Sequence, residues 1–292
     1  MVKNFKIKKN DKYGFFSVDP APSKIELAKF YTNEYFQKNN GSYSNSYSNS
    51  EIDYFKIDYL ILTHLYLKTF PRSDRKSVLD LGCGEGYQSH FFYKNNYEVK
   101  CFDYSDSGIL NHNPELINFF HKGELENFLN KENNNYSIII LKNVLEHLIS
   151  PISVLRQIKN IMNMDTLLYI DVPNDYSSFQ SFLIEKGYSK NTWFCPPQHL
   201  HYFQFSSMRN LLEGEGFEIV SIQSGYPIEQ LLVNEFSNYF YNKRAGKAAH
   251  NARVEISNFL VDQGLEEYIK LNESFANLSF GRDIKAIVKR KF

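Results

Sequence analysis

Charge of one sign is what this chain most plainly lacks. Its 33 Lys and Arg are matched by 33 Asp and Glu, giving a formal net charge of +0 and a pI near 7.1. A balanced chain offers polyanions no broad basic field, which excludes the electrostatic footprint of a general nucleic-acid binder. Cysteine is also scarce. Cys83, Cys101 and Cys195 are odd in number and far apart, so no disulfide framework is implied and a reducing, cytoplasmic setting is expected. No apolar run reaches the roughly 20 residues of a membrane-spanning helix. The first residues, Met1 to Asp11, are basic and polar, unlike a secretory signal. What the chain does have is bulk: of 292 residues, 42% are hydrophobic and 16% aromatic, enough for one large α/β domain with additions.

The stretch from Val78 to Gly86 organises the rest. A short apolar strand runs into Asp80, glycines follow at Gly82, Gly84 and Gly86, and a helix-competent run extends from Tyr87 to Lys94. Glycines at a strand-to-helix turn let a ligand approach the backbone closely. The new helix also presents unpaired N–H groups and its positive dipole end. Dinucleotide-binding folds use G-x-G-x-x-G to seat a pyrophosphate there. This chain has G-x-G-x-G, with an acid two residues before the first glycine. A carboxylate in that place repels a pyrophosphate and suits a cationic amino group.

Beyond this turn the pattern alternates. Strands are expected at 77–81, 98–102, 117–121, 136–142 and 167–172. Helices are expected at 86–95, 106–111, 124–131 and 150–162. Such alternation predicts a parallel sheet with helices on both faces, whose ligands bind beyond the carboxyl ends of the strands. Asp80, Asp103, Glu124 and Asn143 all fall there. Upstream, Lys12 to Phe16 reads as a strand or extended arm, 24–38 as a helix, 41–50 as a low-complexity linker or mobile lid carrying Tyr43 and Tyr47, and 52–70 as a long amphipathic helix. Downstream, a helix is expected in 176–187, another in 206–215, a strand in 217–223, a mostly helical stretch in 226–279 and a last strand in 283–290. Four regions follow: 1–70 as an N-terminal helical cap or lid, 71–225 as the core, 226–280 as a helical insertion forming an acceptor cap or dimer contact, and 281–292 as the last core strand. Lys243, Arg244 and Lys247 give the insertion a basic cluster, read either as a solvated face or as a contact for a phosphate.

The turn resembles motif I of the class I S-adenosylmethionine (SAM)-dependent methyltransferases, and further features follow in that family's order. Lys142 to Leu148 resembles the family's NVLEHL stretch. Gln198 to Phe203 and Leu211 to Val220 resemble an HLHYF…LL…GFEIV segment of a bacterial branch rich in enzymes that methylate sugars and cell-surface glycans. The resemblance implies a Rossmann-like seven-stranded sheet. It implies a SAM site made by Asp80, Gly82, Cys83, Gly84 and Gly86, with Asp103 on the ribose hydroxyls, Tyr104 against the adenine, Glu124 and Leu125 at the adenine amino group, and Asn143 closing the site. S-adenosylhomocysteine (SAH) would be the product.

Methyl transfer to a hydroxyl needs a base as well as alignment. Histidine is the natural candidate near neutrality. His199 is the first choice, His201 would pair with it if the segment is extended, and His147 follows the fourth strand. Each has a competing reading as a hydrogen-bonded structural residue. The spacing of Cys195, His199 and His201 is ligand-like, with Glu146 or His147 as a fourth group, but one local cluster carries little and no metal is assigned. The expected activity is O-methylation of a nucleotide-sugar, glycan or phosphorylated precursor in capsule or lipopolysaccharide synthesis, with no nucleic-acid partner and a possible homodimer. N- or C-methylation, a SAM-binding partner without turnover, and an NAD-dependent oxidoreductase are the alternatives.

Overall fold

The computed structural model describes residues 5–30, 46–191 and 193–291. Strands β1 (Lys6–Lys9) and β2 (Phe16–Asp19) form an antiparallel hairpin, followed by α1 (Lys24–Phe30) and α2 (Asn49–Thr69). Then come β3 (Ser77–Leu81), α3 (Tyr87–Lys94), β4 (Glu98–Asp103), α4 (Ser107–His112), β5 (Phe120–Lys122), α5 (Leu125–Leu129), β6 (Ile138–Lys142), α6 (Pro151–Ile161) and β7 (Leu167–Pro173). The chain continues through α7 (Ser178–Glu185), β8 (His201–Tyr202), α8 (Phe205–Gly214), β9 (Phe217–Ser224), α9 (Ala245–Gln263), α10 (Leu265–Asn277) and β10 (Asp283–Arg290).

Seven strands make one sheet in the order β5-β4-β3-β6-β7-β10-β9, the Rossmann-like arrangement expected. It is not parallel throughout: β10 enters between β7 and β9 and runs antiparallel to both. Central strands are mostly apolar because helices cover both faces. Ile138 to Leu141 are each 0% exposed. Successive side chains then serve opposite layers. Leu79, Leu81, Ile139 and Leu141 pack with Leu129, Leu155 and Leu211 from α5, α6 and α8. Val78, Ile138 and Ile140 pack with Leu62, Phe92 and Tyr268 from α2, α3 and α10.

Several boundaries differ from expectation. The third strand is only Phe120–Lys122, because Pro114 opens a 3-10 turn over Pro114–Phe119 that draws Leu116 into the core. The Lys12–Phe16 arm is the bend of a hairpin, whose second strand pairs with β8. The expected helix 24–38 is seen over Lys24–Phe30, and its remainder, with Tyr43, lies outside the described residues. The end of the low-complexity run caps α2. Ser48 Oγ accepts from the Glu51 amide at 3.3 Å, and the Glu51 carboxylate accepts from the Ser48 amide at 2.9 Å. This reciprocal pair starts the helix at Asn49, three residues early. No helix among the described residues is long and apolar enough to cross a membrane.

The segments outside the alternating core pack on one another. Asn258 Nδ2 of α9 donates to Ser50 O at 2.8 Å, and His250 Nε2 lies 3.1 Å from Glu51 Oε1. Helix α2 is also fixed to the sheet by charge. Asp58, 4% exposed, accepts from the Lys142 ammonium of β6 and from Lys285 Nζ of β10 at 2.5 Å. Burial alone would raise its pKa, yet the two ammoniums hold this carboxyl well below the usual range. Replacing Asp58 by Ala takes from Lys285 its hydrogen-bonded counter-charge and leaves only the more distant Asp171. The expected loss is about 3 kcal/mol in urea unfolding, the lower end for a broken buried pair because Lys142 keeps some solvent contact. A loss below about 0.5 kcal/mol, the range of ordinary surface changes, would refute this role.

Candidate active site

The predicted binding residues converge on the carboxyl edge of β5, β4, β3 and β6. At the β3–α3 turn, Gly82, Gly84 and Gly86 have φ of 78°, 53° and 79°, in the left-handed region that L side chains disfavour. Gly82 meets a second constraint: a Cβ there would lie 2.3 Å from Val144 Cγ2. The turn is therefore pressed against the segment that follows β6. Its amides are tied to β4, with Gly82 N donating to Phe102 O at 2.7 Å and Gly84 N to Asp103 Oδ2 at 2.9 Å. Cys83, inside the turn, contacts Cys101 through its thiol, and that contact together with burial raises its pKa.

Asp80 is 3% exposed and its Oδ2 accepts from Ser89 Oγ at 2.8 Å. Burial pushes it up to about 6, the Ser89 hydroxyl pulling the other way. Asp103 is raised as well, mainly by burial, while the Gly84 and Ser105 amides favour its ionised form. Two desolvated carboxylates face a turn of backbone amides, so a ligand that brings positive charge relieves both. Tyr104 beside Asp103 is 59% exposed. Glu124 Oε2 accepts from Asn127 at 2.8 Å, Leu125 is buried, and Asn143 at φ 54° donates its amide to Asp171 O at 2.8 Å.

Above the turn, Tyr47 donates to both carboxylate oxygens of Glu85, at 3.0 and 2.9 Å, and packs against Phe55, Tyr87 and His112. Burial pushes Glu85 up to about 7 against that hydrogen bond. Tyr47 was singled out in the sequence as a lid residue; its Glu85 partner was not.

The three histidines do not form one group. His201 is fully engaged, Nδ1 lying 2.8 Å from Ser17 Oγ and Nε2 2.9 Å from Leu148 O. His199 turns instead to His147, ring centroids 4.9 Å apart at 77°. His147 Nδ1 sits 2.7 Å from Gln198 O, which can only accept, so this nitrogen carries the proton and Nε2 the lone pair. Leu200 N donates to Glu146 O at 2.8 Å and joins the two segments. Glu146, 2% exposed, completes the group, its Oε1 3.7 Å from His147 Nε2. Glu146 Oε2 and His199 Nδ1 are buried with no hydrogen-bond partner. Among the described residues, the donor atoms of Glu146, His147 and His199 lie within 4.8 Å of one another. The Cys195–His199–His201 spacing is not realised as a cluster, since Cys195 and His201 stand outside this group.

Sequence reasoning missed the surrounding charges. Arg282 Nη1 donates to Asp175 Oδ1 at 2.7 Å and lies 3.8 Å from Glu229, which accepts from Gln180 at 2.9 Å. Asp175 was findable, because it follows β7 at the same sheet edge. Glu229 and Arg282 come from distant segments and carried no such signal.

The family described as methyltransferase domain matches residues 53–222. No curated protein sequence matches the chain. Among solved structures, the plantazolicin methyltransferase BamL, in complex with a triazolic desmethylPZN analog and SAH, is similar at 14% identity and TM-score 0.55, over 92% of this chain and 95% of that one. The plantazolicin methyltransferase BpumL, with a monoazolic desmethylPZN analog and SAH, is similar at 18% identity and TM-score 0.55, over 91% and 94%. The [4+2]-cyclase SpnF is similar at 14% identity and TM-score 0.50, over 93% and 98%. At these identities the likeness shows the fold.

Burial lowers His147, His199 and His201 to about 4 each, with the neighbouring ring adding to the effect at His147 and Arg282 at His199. Their folded values lie below the roughly 6.5 of an unfolded chain. Each therefore contributes stability that is full above pH ~6.5 and is lost as pH falls through about 4. Raised carboxylates such as Asp80 and Glu146 oppose this globally, so the check must be site-specific. Ring C–H resonances of the three histidines should titrate near pH 4; midpoints near 6.5 would show that the rings are solvated.

Proposed function

The chain belongs to the methyltransferase-domain family and is a SAM-dependent methyltransferase, and on that premise we propose that it methylates an oxygen of a sugar- or phosphate-containing small acceptor of the kind found in capsule or lipopolysaccharide precursors. The observation that carries the oxygen chemistry is the His147–His199 pair, two neutral imidazoles brought together where the β6 exit, four residues beyond Asn143, meets the 198–201 segment. One structural neighbour is the [4+2]-cyclase SpnF, so the fold alone does not carry methyl transfer and the side chains must.

The glycine turn fits the donor, because a cradle without Cβ atoms lies between two desolvated acids. We assign Asp103 and Tyr104 to the nucleoside, with Glu124 and Leu125 at the base, and Asp80, Gly82, Cys83, Gly84, Gly86 and Asn143 to the remainder. SAM, when bound, supplies a methyl group on a sulfonium. The protein's work is to hold the acceptor hydroxyl in line and remove its proton. The O–H bond breaks at the His147–His199 pair as the new C–O bond forms and the C–S bond breaks. His201 is a positioning residue, holding the Leu148 turn through Nε2. The acceptor class is supported by the glycan-branch motif from Gln198 to Phe203.

Two tests follow. SAH should bind with micromolar affinity and NAD should not, and Asp103→Ala should weaken SAH at least ~10-fold; NAD binding alone would overturn the donor assignment. With nucleotide-sugars or phosphorylated sugars as acceptors and product mass as the readout, His199→Ala should cut turnover about 10²-fold while SAH affinity holds. An unchanged rate would remove His199 from the chemistry.

A further inference from the structure

We propose that Glu146, His147 and His199 hold a divalent transition-metal cation whose open positions bind the acceptor oxygen. The inference rests on the methyl-transfer reading above but replaces direct proton removal by the imidazole pair with loss of the acceptor's proton from a metal-bound hydroxyl to water.

The donor set is the first argument. One carboxylate oxygen and two imidazole nitrogens lie within 4.8 Å of one another. Ligands about 2.1 Å from a shared cation stand roughly 3–3.5 Å apart, so binding asks these side chains to close by about an ångström. Two imidazoles and one carboxylate make a three-point set that leaves other positions open. Imidazole favours first-row transition ions over magnesium or calcium.

The second argument is what these atoms lack. Glu146 Oε2 and His199 Nδ1 are both buried with no hydrogen-bond partner. Two orphans in one cluster leave room for a shared partner that no described residue supplies. A cation satisfies both at once. The lone pair on His147 is already aimed: the Gln198 carbonyl holds the proton on Nδ1 and leaves Nε2 free. That is the outer-shell hydrogen bond that metal-bound histidines make. Backbone geometry fixes the rest. Glu146 and His147 share one 3-10 turn (Leu145–His147), and Leu200 N anchors the His199 segment to Glu146 O.

The surroundings fit a positive guest. Glu146 is raised far above the ordinary carboxylate range by burial, and Asp171, Asp175 and Asp283 add to it. The nearby Arg282 is already committed to Asp175 and Glu229. A divalent ion would ionise Glu146 and use both imidazoles in the neutral form they hold. An acceptor hydroxyl on that ion gives up its proton to water more readily, and its oxygen then takes the methyl group. The imidazoles thus act through the ion.

The test uses the metal alone. Chelator-treated full-length protein is titrated with Co²⁺, in the absence and presence of SAH, and followed by visible absorption and calorimetry. One Co²⁺ per chain at micromolar affinity, with ligand-field bands, is expected. His199→Ala and Glu146→Gln should each weaken Co²⁺ by at least ~100-fold, beyond the roughly 10–100-fold of outer-shell changes. Cys195→Ser should leave Co²⁺ affinity as it is. A wild-type protein that binds SAH yet takes up neither Co²⁺, Mn²⁺ nor Zn²⁺ would overturn the site and leave the methyltransferase reading intact. So would His199→Ala and Glu146→Gln variants that bind Co²⁺ like wild type. Co²⁺ uptake abolished by these substitutions in protein that ignores SAH would support the metal site while sinking the donor assignment.

Discussion

At the carboxyl end of β3 the backbone comes closer to the next strand's exit loop than any side chain permits. The missing Cβ of Gly82 would fall inside van der Waals range of Val144, and three left-handed glycines in five residues let the chain turn at that distance. Much follows from this one contact. It brings the β3–α3 turn and the β6 exit loop together, and both lead directly into functional side chains. Asp80 precedes the turn, and Glu146 and His147 follow Val144 within three residues. Gly108 repeats the device from the other side, since a Cβ there would lie 2.3 Å from Gly84 O. The turn is thus clamped between α4 and the β6 exit, and its amide N–H of Gly84 is fixed on Asp103.

Close packing of polar segments needs a counterweight, which the buried charges provide. Asp58, Lys142, Lys285 and Asp171 join α2 to β6, β10 and β7 just below the glycine turn. A network of this kind contributes little net stability, because desolvation offsets most of the attraction. It does specify position. An apolar α2 face could slide along the sheet, whereas Asp58 has one place where both ammoniums are satisfied. Because α2 also carries Phe55 against Tyr47 and Tyr87, fixing α2 fixes the aromatic wall over Glu85.

The elements legible in the sequence were those whose burial is two-sided. β3, β6 and β7 read as mostly apolar runs, Asp80 and Asp171 excepted, because helices cover both faces, and their bounds fell within a residue or two of expectation. β1 was illegible for the opposite reason: Lys6–Lys9 is exposed at every position and carries no periodic signal. The third strand was misplaced because Leu116, Ile117, Phe119 and Phe120 look like one run, while Pro114 starts a turn within it. Nor could periodicity find β10 between β7 and β9, since strand order is a long-range property. At the site, residues read from one local segment lie along one sheet edge. Those that depend on two segments meeting were not legible: His199 was expected to pair with His201 two residues away, yet it meets His147, fifty-two positions earlier, because the β6 exit and the 198–201 segment are laced by hydrogen bonds.

The same lacing separates two electrostatic tasks along one sheet edge. On the β3–β4 side, Asp80 and Asp103 keep partners, a serine hydroxyl for one and backbone amides for the other, so their carboxyls are raised but supported. Such a pair can accept a cationic, hydroxyl-rich ligand without rearranging. On the β6–β7 side, Glu146 keeps one oxygen without any donor and sits among Asp171, Asp175 and Asp283. The asymmetry therefore sorts the guests. A ligand that brings hydrogen-bond donors belongs at the glycine turn. One that brings only positive charge and empty coordination sites suits the group of Glu146, His147 and His199.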